Sequence, residues 1–365
     1  MAFTKKEEQS APSAVAVKTE APQTDVEKFK SLFNLSKQLD KKHSTTNSLM
    51  RLGNKNIRAI PSIVTGIATF DYDVLRTGGV PRGRILELFG PESSGKTTLS
   101  LVIAAEEQKQ GGIVAFVDAE HALDPGYARQ LGVDVDNLLI NQPDNGEQGL
   151  QVVDELVESQ CVSLIVVDSV AALVPEAELA GEIGDVHVGL QARMMSQAMR
   201  ILTGKAARNN VTVIFINQIR EKIGVMYGSP ETTPGGRALK LYSSVRLDVR
   251  RKEVIKAAGD VLIGHQIRVK AVKNKCGTPF GETTLDLYYP NTGHTPGFDK
   301  VNSIIEYAAS RGLFEMKGSW YYLDDNRIAN GMANLKEVLK TDAEIMARLK
   351  KSIAELVAKP AQETI

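Results

Sequence analysis

The stretch that most constrains this chain is Gly90-Pro91-Glu92-Ser93-Ser94-Gly95-Lys96-Thr97. It follows the phosphate-loop pattern of a glycine, four residues and then Gly-Lys-Thr. Before it, Arg84-Ile85-Leu86-Glu87-Leu88-Phe89 alternates apolar and polar residues as a strand does. After it, the run from Thr98 to Ala105 has the apolar spacing of a helix. Strand, glycine loop and helix together are the context the motif requires. In that arrangement backbone N–H groups converge on phosphate oxygens, and the helix N-terminus adds its positive dipole end. Lys96 is expected to neutralise the β- and γ-phosphates of a nucleotide, and the Thr97 hydroxyl to hold Mg²⁺. The plain alternative, a glycine turn opening a helix, does not account for the flanks.

The segments that follow set the fold class. Ile113–Asp118, Val162–Ser169 and Val211–Asn217 are nearly continuous apolar runs, the composition of strands buried on both faces of a parallel sheet. Helical patterns lie between them, at 149–159 and at 191–208. Alternating strands and helices predict an α/β domain with a mainly parallel sheet covered on both faces. Ligands of such sheets bind beyond the carboxyl ends of the strands. Thr97, Glu120, Asp168 and Gln218 all fall at or just after such ends, which places four polar groups on one rim. Asp168 suits an acid that orients a Mg²⁺ shell, or else a turn at a strand end. Glu120 reads equally as a general base for an attacking water or as a surface glutamate. Gln218 reads as an amide that senses a γ-phosphate or as a satisfied strand-end amide. His121, beside Glu120, is expected to be structural.

With 365 residues and 42% apolar content, the chain has room for two or three domains and a sizeable core. No apolar run reaches the length of a membrane span. The opening residues, Met1 to Glu8, are charged and carry no apolar leader. Cys161 and Cys276 are too few for a disulfide framework, and no Cys/His spacing suggests zinc. A cytoplasmic protein without a membrane partner is expected. Charge is balanced overall but divided along the chain. Residues 101–190 hold 17 acidic and 2 basic residues, whereas 191–280 hold 17 basic and 5 acidic. Mutual surface ion pairs explain this as well as an anion-binding face for nucleic acid does.

In order along the chain, residues 1–24 are low in complexity and expected to be disordered. Val26, Phe29, Leu32, Phe33, Leu35 and Leu39 then recur at helical spacing, and the helix they predict packs either on its own body or on a neighbouring subunit. Two glycine-rich stretches lie near basic residues. The first holds Gly181, Ile183, Gly184, Val188 and Gly189, just before Arg193. The second runs from Ile219 to Arg237 without regular period and includes Arg220, Lys222, Ile223, Gly224, Val225, Met226, Tyr227, Gly235, Gly236 and Arg237. Loops of this kind suit contacts that track a single-stranded backbone. Val245–Arg251 and Ile263–Lys275 read as a basic hairpin that adds antiparallel strands.

These residues resemble the bacterial RecA family of strand-exchange recombinases. The resemblance is carried by Met50–Gly53, Gly90–Thr98, Asp118–Pro125, Val166–Leu173, Gly181–Asp185 and Ala192–Arg200. Further on it is carried by Phe215–Arg220, Lys222–Met226, Pro230–Thr233, Gly235-Gly236 and Val272–Lys275. It implies a RecA-like phosphate-loop ATPase core at 58–293, an N-terminal polymerisation helix with its linker at 25–57, and a small α+β C-terminal domain at 294–365. It also implies a helical filament on single-stranded DNA that pairs with double-stranded DNA, with ATP and Mg²⁺ bound between subunits and a self-cleaving repressor as a further partner. By this analogy Glu120 is the catalytic carboxylate and Gln218 the γ-phosphate sensor. Asp124, Tyr127 and Tyr289 match residues near the adenine. Lys273 and Lys275 match lysines that reach a neighbour's ATP, Lys240 matches an interface lysine, and Arg193 with the two loops matches DNA contacts. The chain departs from the family pattern at His43–Ser48, in the linker, and at Pro290–Pro296, just after Tyr289.

Overall fold

The computed structural model describes residues 25–43, 49, 60–182, 184–185, 187, 189–221 and 231–358. The chain divides into two units, Met1–Ala59 and Ile60–Ile365. The expected disorder of 1–24 lies outside the described residues. In the first unit, helix α1 (Asp25–His43) forms where the helical spacing predicts it. Asp25 and Glu27 sit in its first turn and Lys41, Lys42 and His43 in its last, complementing the helix dipole. Val26, Leu32 and Phe33 are 65%, 50% and 62% exposed. The Ser36 hydroxyl donates to the Leu49 carbonyl at 3.2 Å.

The second unit opens with β1 (Ser62–Ile63), which pairs antiparallel with β2 (Val80–Pro81). The chain then runs through β3 (Ile85–Gly90), α2 (Lys96–Lys109), β4 (Val114–Asp118), α3 (Pro125–Gln130) and β5 (Leu139–Asn141). Next come α4 (Gly146–Ser159), β6 (Leu164–Asp168), α5 (Glu176–Leu179), α6 (Leu190–Asn209) and β7 (Thr212–Gln218). A short antiparallel pair follows, β8 (Arg220–Glu221) with β9 (Glu231–Thr232), and then α7 (Ala238–Tyr242). The strands β10 (Val245–Lys256), β11 (Leu262–Asn274), β12 (Glu282–Tyr288) and β13 (Gly297–Phe298) complete the sheet.

Nine strands lie in the order β13-β12-β11-β10-β3-β7-β6-β4-β5. From β10 to β5 every neighbouring pair is parallel. The hairpin of β10 and β11 turns the far edge antiparallel, through β12 to β13, as the sequence predicts. The centre of the sheet is dry because its strands are apolar on both faces: all five residues of β4 and of β6 are buried. On one face Leu99 and Val102 of α2 pack with Phe116 and Val166 of the sheet. On the other Met195, Met199 and Leu202 of α6 pack with Val117 and Val167. Met194 and Met195 thus serve as packing. Each such side chain contributes roughly 1.5–3 kcal/mol by leaving water.

A third cluster belongs to the C-terminal part. There α8 (Lys300–Ser310), α9 (Met332–Thr341) and α10 (Ala343–Ala358) pack around an antiparallel sheet of β14 (Glu315–Lys317), β15 (Trp320–Leu323) and β16 (Asn326–Asn330). Ile305, Tyr321, Leu335 and Leu349 form its centre. It meets the large sheet's part of the same unit through Ala68 and Tyr72, which pack on this cluster, and through polar contacts. The Thr69 N–H donates to the Ser303 hydroxyl at 2.9 Å, and Arg311 pairs with Asp73 at 2.6 Å.

Candidate functional site

Sheet register brings the rim together. Gly90 at the end of β3 lies opposite Gln218 at the end of β7, and Asp118 lies opposite Asp168. The phosphate loop leaves β3 at Gly90, where an added Cβ would collide with the Val249 carbonyl, so only glycine fits. It enters α2 through Gly95, in the left-handed region at φ +93°. Pro91, Glu92 and Ser93 are exposed, whereas Ser94, Lys96 and Thr98 are buried. The Lys96 ammonium donates to the Pro91 carbonyl at 2.6 Å and to the Gly90 carbonyl at 3.1 Å. Burial lowers its pKa, opposed by the charges of Asp168, Glu120 and Glu92.

The Thr97 hydroxyl donates to Asp168 Oδ2 at 2.6 Å. Burial pushes the Asp168 carboxyl up to about 6, and the negative charges of Glu120 and Asp118 push the same way, against the Thr97 hydrogen bond and Lys96. These two oxygens fit Mg²⁺: a hydroxyl and a buried carboxylate that makes no ion pair among the described residues are hard donors at the mouth of a phosphate loop. Among the described residues there is no group of three or more His, Cys, Asp or Glu able to hold a metal. Mg²⁺ commonly takes one or two carboxylates and completes its shell with substrate phosphates and water.

Glu120, Ser169 and Gln218 form one cluster. The Ser169 hydroxyl donates to Glu120 Oε1, and the Gln218 amide donates to the same oxygen at 3.2 Å. Glu120 is exposed and can meet a water or a ligand, while its Oε1 is held by these donors. Asp118 beneath it accepts from the Ala122 and Leu123 N–H groups, each at 3.2 Å, and from the Gln142 amide at 3.1 Å. Asp118 therefore shapes the turn that presents Glu120.

A cleft of about 190 Å³ runs from Ser93–Thr98 to Tyr127, His265, Leu287 and Tyr289. The Thr98 and Tyr127 hydroxyls are 3.0 Å apart. Asp124 caps α3, accepting from the Gly126 N–H at 2.7 Å. Tyr289 thus stands in the cleft despite the unusual turn after it, and its hydroxyl is 2.8 Å from His265 Nδ1. His265 escapes a reading of the sequence because its place is set by pairing: it faces Leu287 across β11 and β12. Ser169 and Asn217 are likewise visible only in three dimensions.

The residues expected to contact DNA divide. Ile183, Val188, Lys222, Ile223, Gly224, Val225, Met226 and Tyr227 lie outside the described residues. Gly189 caps α6 at φ +77°, and Arg193 is exposed in that helix's first turn. Gly181 closes on His187 and Asp185, and Gly184 stands in open space. Where the sequence shows only an aperiodic stretch, the ends of the second loop are tied. Arg220 and Glu221 pair with Thr232 and Glu231, and Arg250 grips Glu231 with two hydrogen bonds of 2.8 and 2.6 Å. Asn217 donates to the Pro234 carbonyl at 3.2 Å and to Glu87 at 3.0 Å. Glu87 is fully buried and pairs with Arg246 at 2.5 Å, and the Arg246 guanidinium lies over the Phe89 ring. Removing one partner of such a pair typically costs about 3–5 kcal/mol. Arg237, Lys240 and Lys275 are exposed. Lys273 instead donates to the carbonyls of Lys240 and Leu241, at 2.6 and 2.9 Å, at the end of α7.

The chain matches the model of the RecA N-terminal domain over residues 30–294 and that of the RecA C-terminal domain over 302–358. It is 51% identical over 335 residues to a protein named Protein RecA from Clostridium tetani, covering 91% of this chain and 92% of that one. It is 50% identical over 330 residues to Protein RecA of Rubrobacter xylanophilus, covering 90% and 94%. With Protein RecA of Acinetobacter baumannii it shares 49% over 331 residues, covering 91% and 93%. No helix among the described residues is long and apolar enough to cross a membrane.

Proposed function

The chain belongs to the RecA family, and on that premise we propose how its residues divide the work of an ATP-dependent DNA recombinase. The activity is DNA-dependent ATP hydrolysis coupled to homologous pairing and strand exchange. Gly90–Thr98 cradle the triphosphate, with Lys96 neutralising its terminal phosphates once it leaves the Pro91 carbonyl. Thr97 and Asp168 would hold Mg²⁺, which supplies positive charge against the phosphate oxygens. Asp124, Tyr127 and Tyr289 receive the adenine. Lys273 and Lys275 serve the ATP of a neighbouring subunit in the filament, with Lys240 in the same interface. Arg193, Arg220, Arg237 and the two loops contact DNA. The partners are single- and double-stranded DNA and further copies of this chain, with a self-cleaving repressor as an additional one, in the cytoplasm.

The observation that carries the mechanism is the hydrogen bond from Gln218 to Glu120. The same amide can donate to a γ-phosphate or to Glu120. With ATP bound, the amide turns to the γ-phosphate and releases Glu120 to take a proton from water. That water's oxygen then bonds to the γ-phosphorus as the bond to the ADP oxygen breaks. Gln218 sits two residues before Arg220, so its movement is passed to the neck of the second loop. The test is Gln218→Ala. Single-stranded DNA should bind the wild type far more tightly with a non-hydrolysable ATP analogue than with ADP, and the variant should lose most of that difference. A variant that keeps it refutes the sensor role. Electron micrographs should show open helical filaments on DNA; closed rings alone would point to a translocating helicase.

A further inference from the structure

The two stretches assigned to DNA are separated in sequence, yet their exits meet at one side chain. Gln191 lies in the first turn of α6, two residues after Gly189 and two before Arg193. Its Nε2 donates to the Val170 carbonyl at 2.9 Å and to the Leu173 carbonyl at 3.1 Å. Its Oε1 accepts from the Gly235 N–H at 3.1 Å. Both donors and the acceptor oxygen of the amide are thus engaged. The packing around it is close. A Cβ on Gly236 would lie 2.8 Å from Ala192 Cβ, and one on Gly235 would lie 3.0 Å from Val170 Cγ1. Both glycines hold positive φ, +77° and +74°. Val170 follows directly on Asp168 and Ser169, which touch Thr97 and Glu120. The neighbouring Pro234 is held from the other side by Asn217, beside Gln218.

We infer that Gln191 is a positioning residue that fastens the exits of both loops to the segment behind Asp168 and Ser169, so that a change of nucleotide reaches the two loops together. This rests on the recombinase reading and names its route. Without Gln191 the second loop's exit keeps its tie to Asn217 and its packing on Ala192 but loses its hydrogen bond to α6, where the first loop ends. The nucleotide's own contacts are untouched.

The experiment uses full-length Gln191→Met, which keeps the length without hydrogen bonds, and Gln191→Glu, which keeps the acceptor for Gly235 but loses both donors. ATP hydrolysis is measured with and without single-stranded DNA, and affinity for an oligothymidylate is measured with a non-hydrolysable ATP analogue and with ADP. Hydrolysis without DNA and KM for ATP should match the wild type. DNA-stimulated kcat should fall at least about five-fold, and the preference for DNA in the ATP state should shrink by a similar factor, the lower end of couplings between distant sites. Added to Gln218→Ala, Gln191→Met should then change little, because both act on one route. Wild-type stimulation and nucleotide preference in both variants would overturn the inference. So would an equal fall in hydrolysis with and without DNA, which marks simple damage to the ATP site. A wild type whose hydrolysis ignores DNA would overturn the recombinase reading itself.

Discussion

At the scale of single residues, each polar group of the proposed site has a protein partner that a ligand would have to displace. Lys96 rests on carbonyls of its own loop, Thr97 on Asp168, and Gln218 on Glu120. His265 is different: it is 5% exposed, and its Nδ1 holds the Tyr289 hydroxyl. Burial lowers its pKa, and the charge of Arg251 adds to this. A base whose folded pKa lies below its unfolded value loses stability on acidification, because the unfolded chain takes up the proton first. His265 should therefore pull the melting temperature down as pH drops below about 6.5 toward 5, the window opened by an ordinary histidine, against the raised Asp168 carboxyl, which acts the other way. In His265→Asn that fall should be smaller, as thermal melts across the range would show; an identical slope in both proteins would mean that His265 titrates freely. Lys96, Thr97, Asp168, Glu120 and Gln218 were legible in the sequence because each follows a strong local signal, a glycine loop or an apolar strand. His265, Ser169 and Asn217 were not, since their partners lie 24, 49 and 130 positions away.

At the scale of elements, the parallel centre of the sheet was readable from continuous apolar runs, and the β10–β11 hairpin from alternation about a Gly-Asp turn. The neck made by β8 and β9 was not, because two-residue strands carry no period. What fixes it is the ion pair of Arg250 with Glu231 and the tie from Asn217 to Pro234. Helix α1 poses the opposite case. Its period is plain, but a sequence cannot say what an apolar stripe faces. Phe33 is 62% exposed in the structure, as a side chain awaiting a partner surface would be. Phe33→Asp should leave the melting temperature unchanged and weaken self-assembly. Losing a buried phenylalanine, about 2–3 kcal/mol, should raise the protein concentration needed for filaments roughly 30- to 150-fold, as sedimentation would report. Unaltered assembly would remove α1 from the subunit contact.

At the scale of the molecule, one domain holds an acidic stretch, 101–190, followed by a basic one, 191–280. Among the described basic residues, some of the charge is spent on internal pairs, as in Arg250 with Glu231 and Asp248 and in Arg246 with Glu87. Arg193, Arg237, Lys240 and Lys275 remain exposed. The ion-pair reading of the charge division thus holds for part of the basic charge, and the exposed remainder is what the proposed DNA and subunit contacts would use. In the proposed mechanism the phosphate loop and the DNA-facing loops form one coupled device, joined through Glu120, Gln218 and Asn217. The most direct measurement is the ATP hydrolysis rate with and without single-stranded DNA, for the wild type and for Lys96→Ala. Hydrolysis should rise strongly with DNA in the wild type and fall by two or more orders of magnitude in the variant, the loss expected when a preorganised charge is removed from a transition state. Hydrolysis that is the same with and without DNA would contradict it.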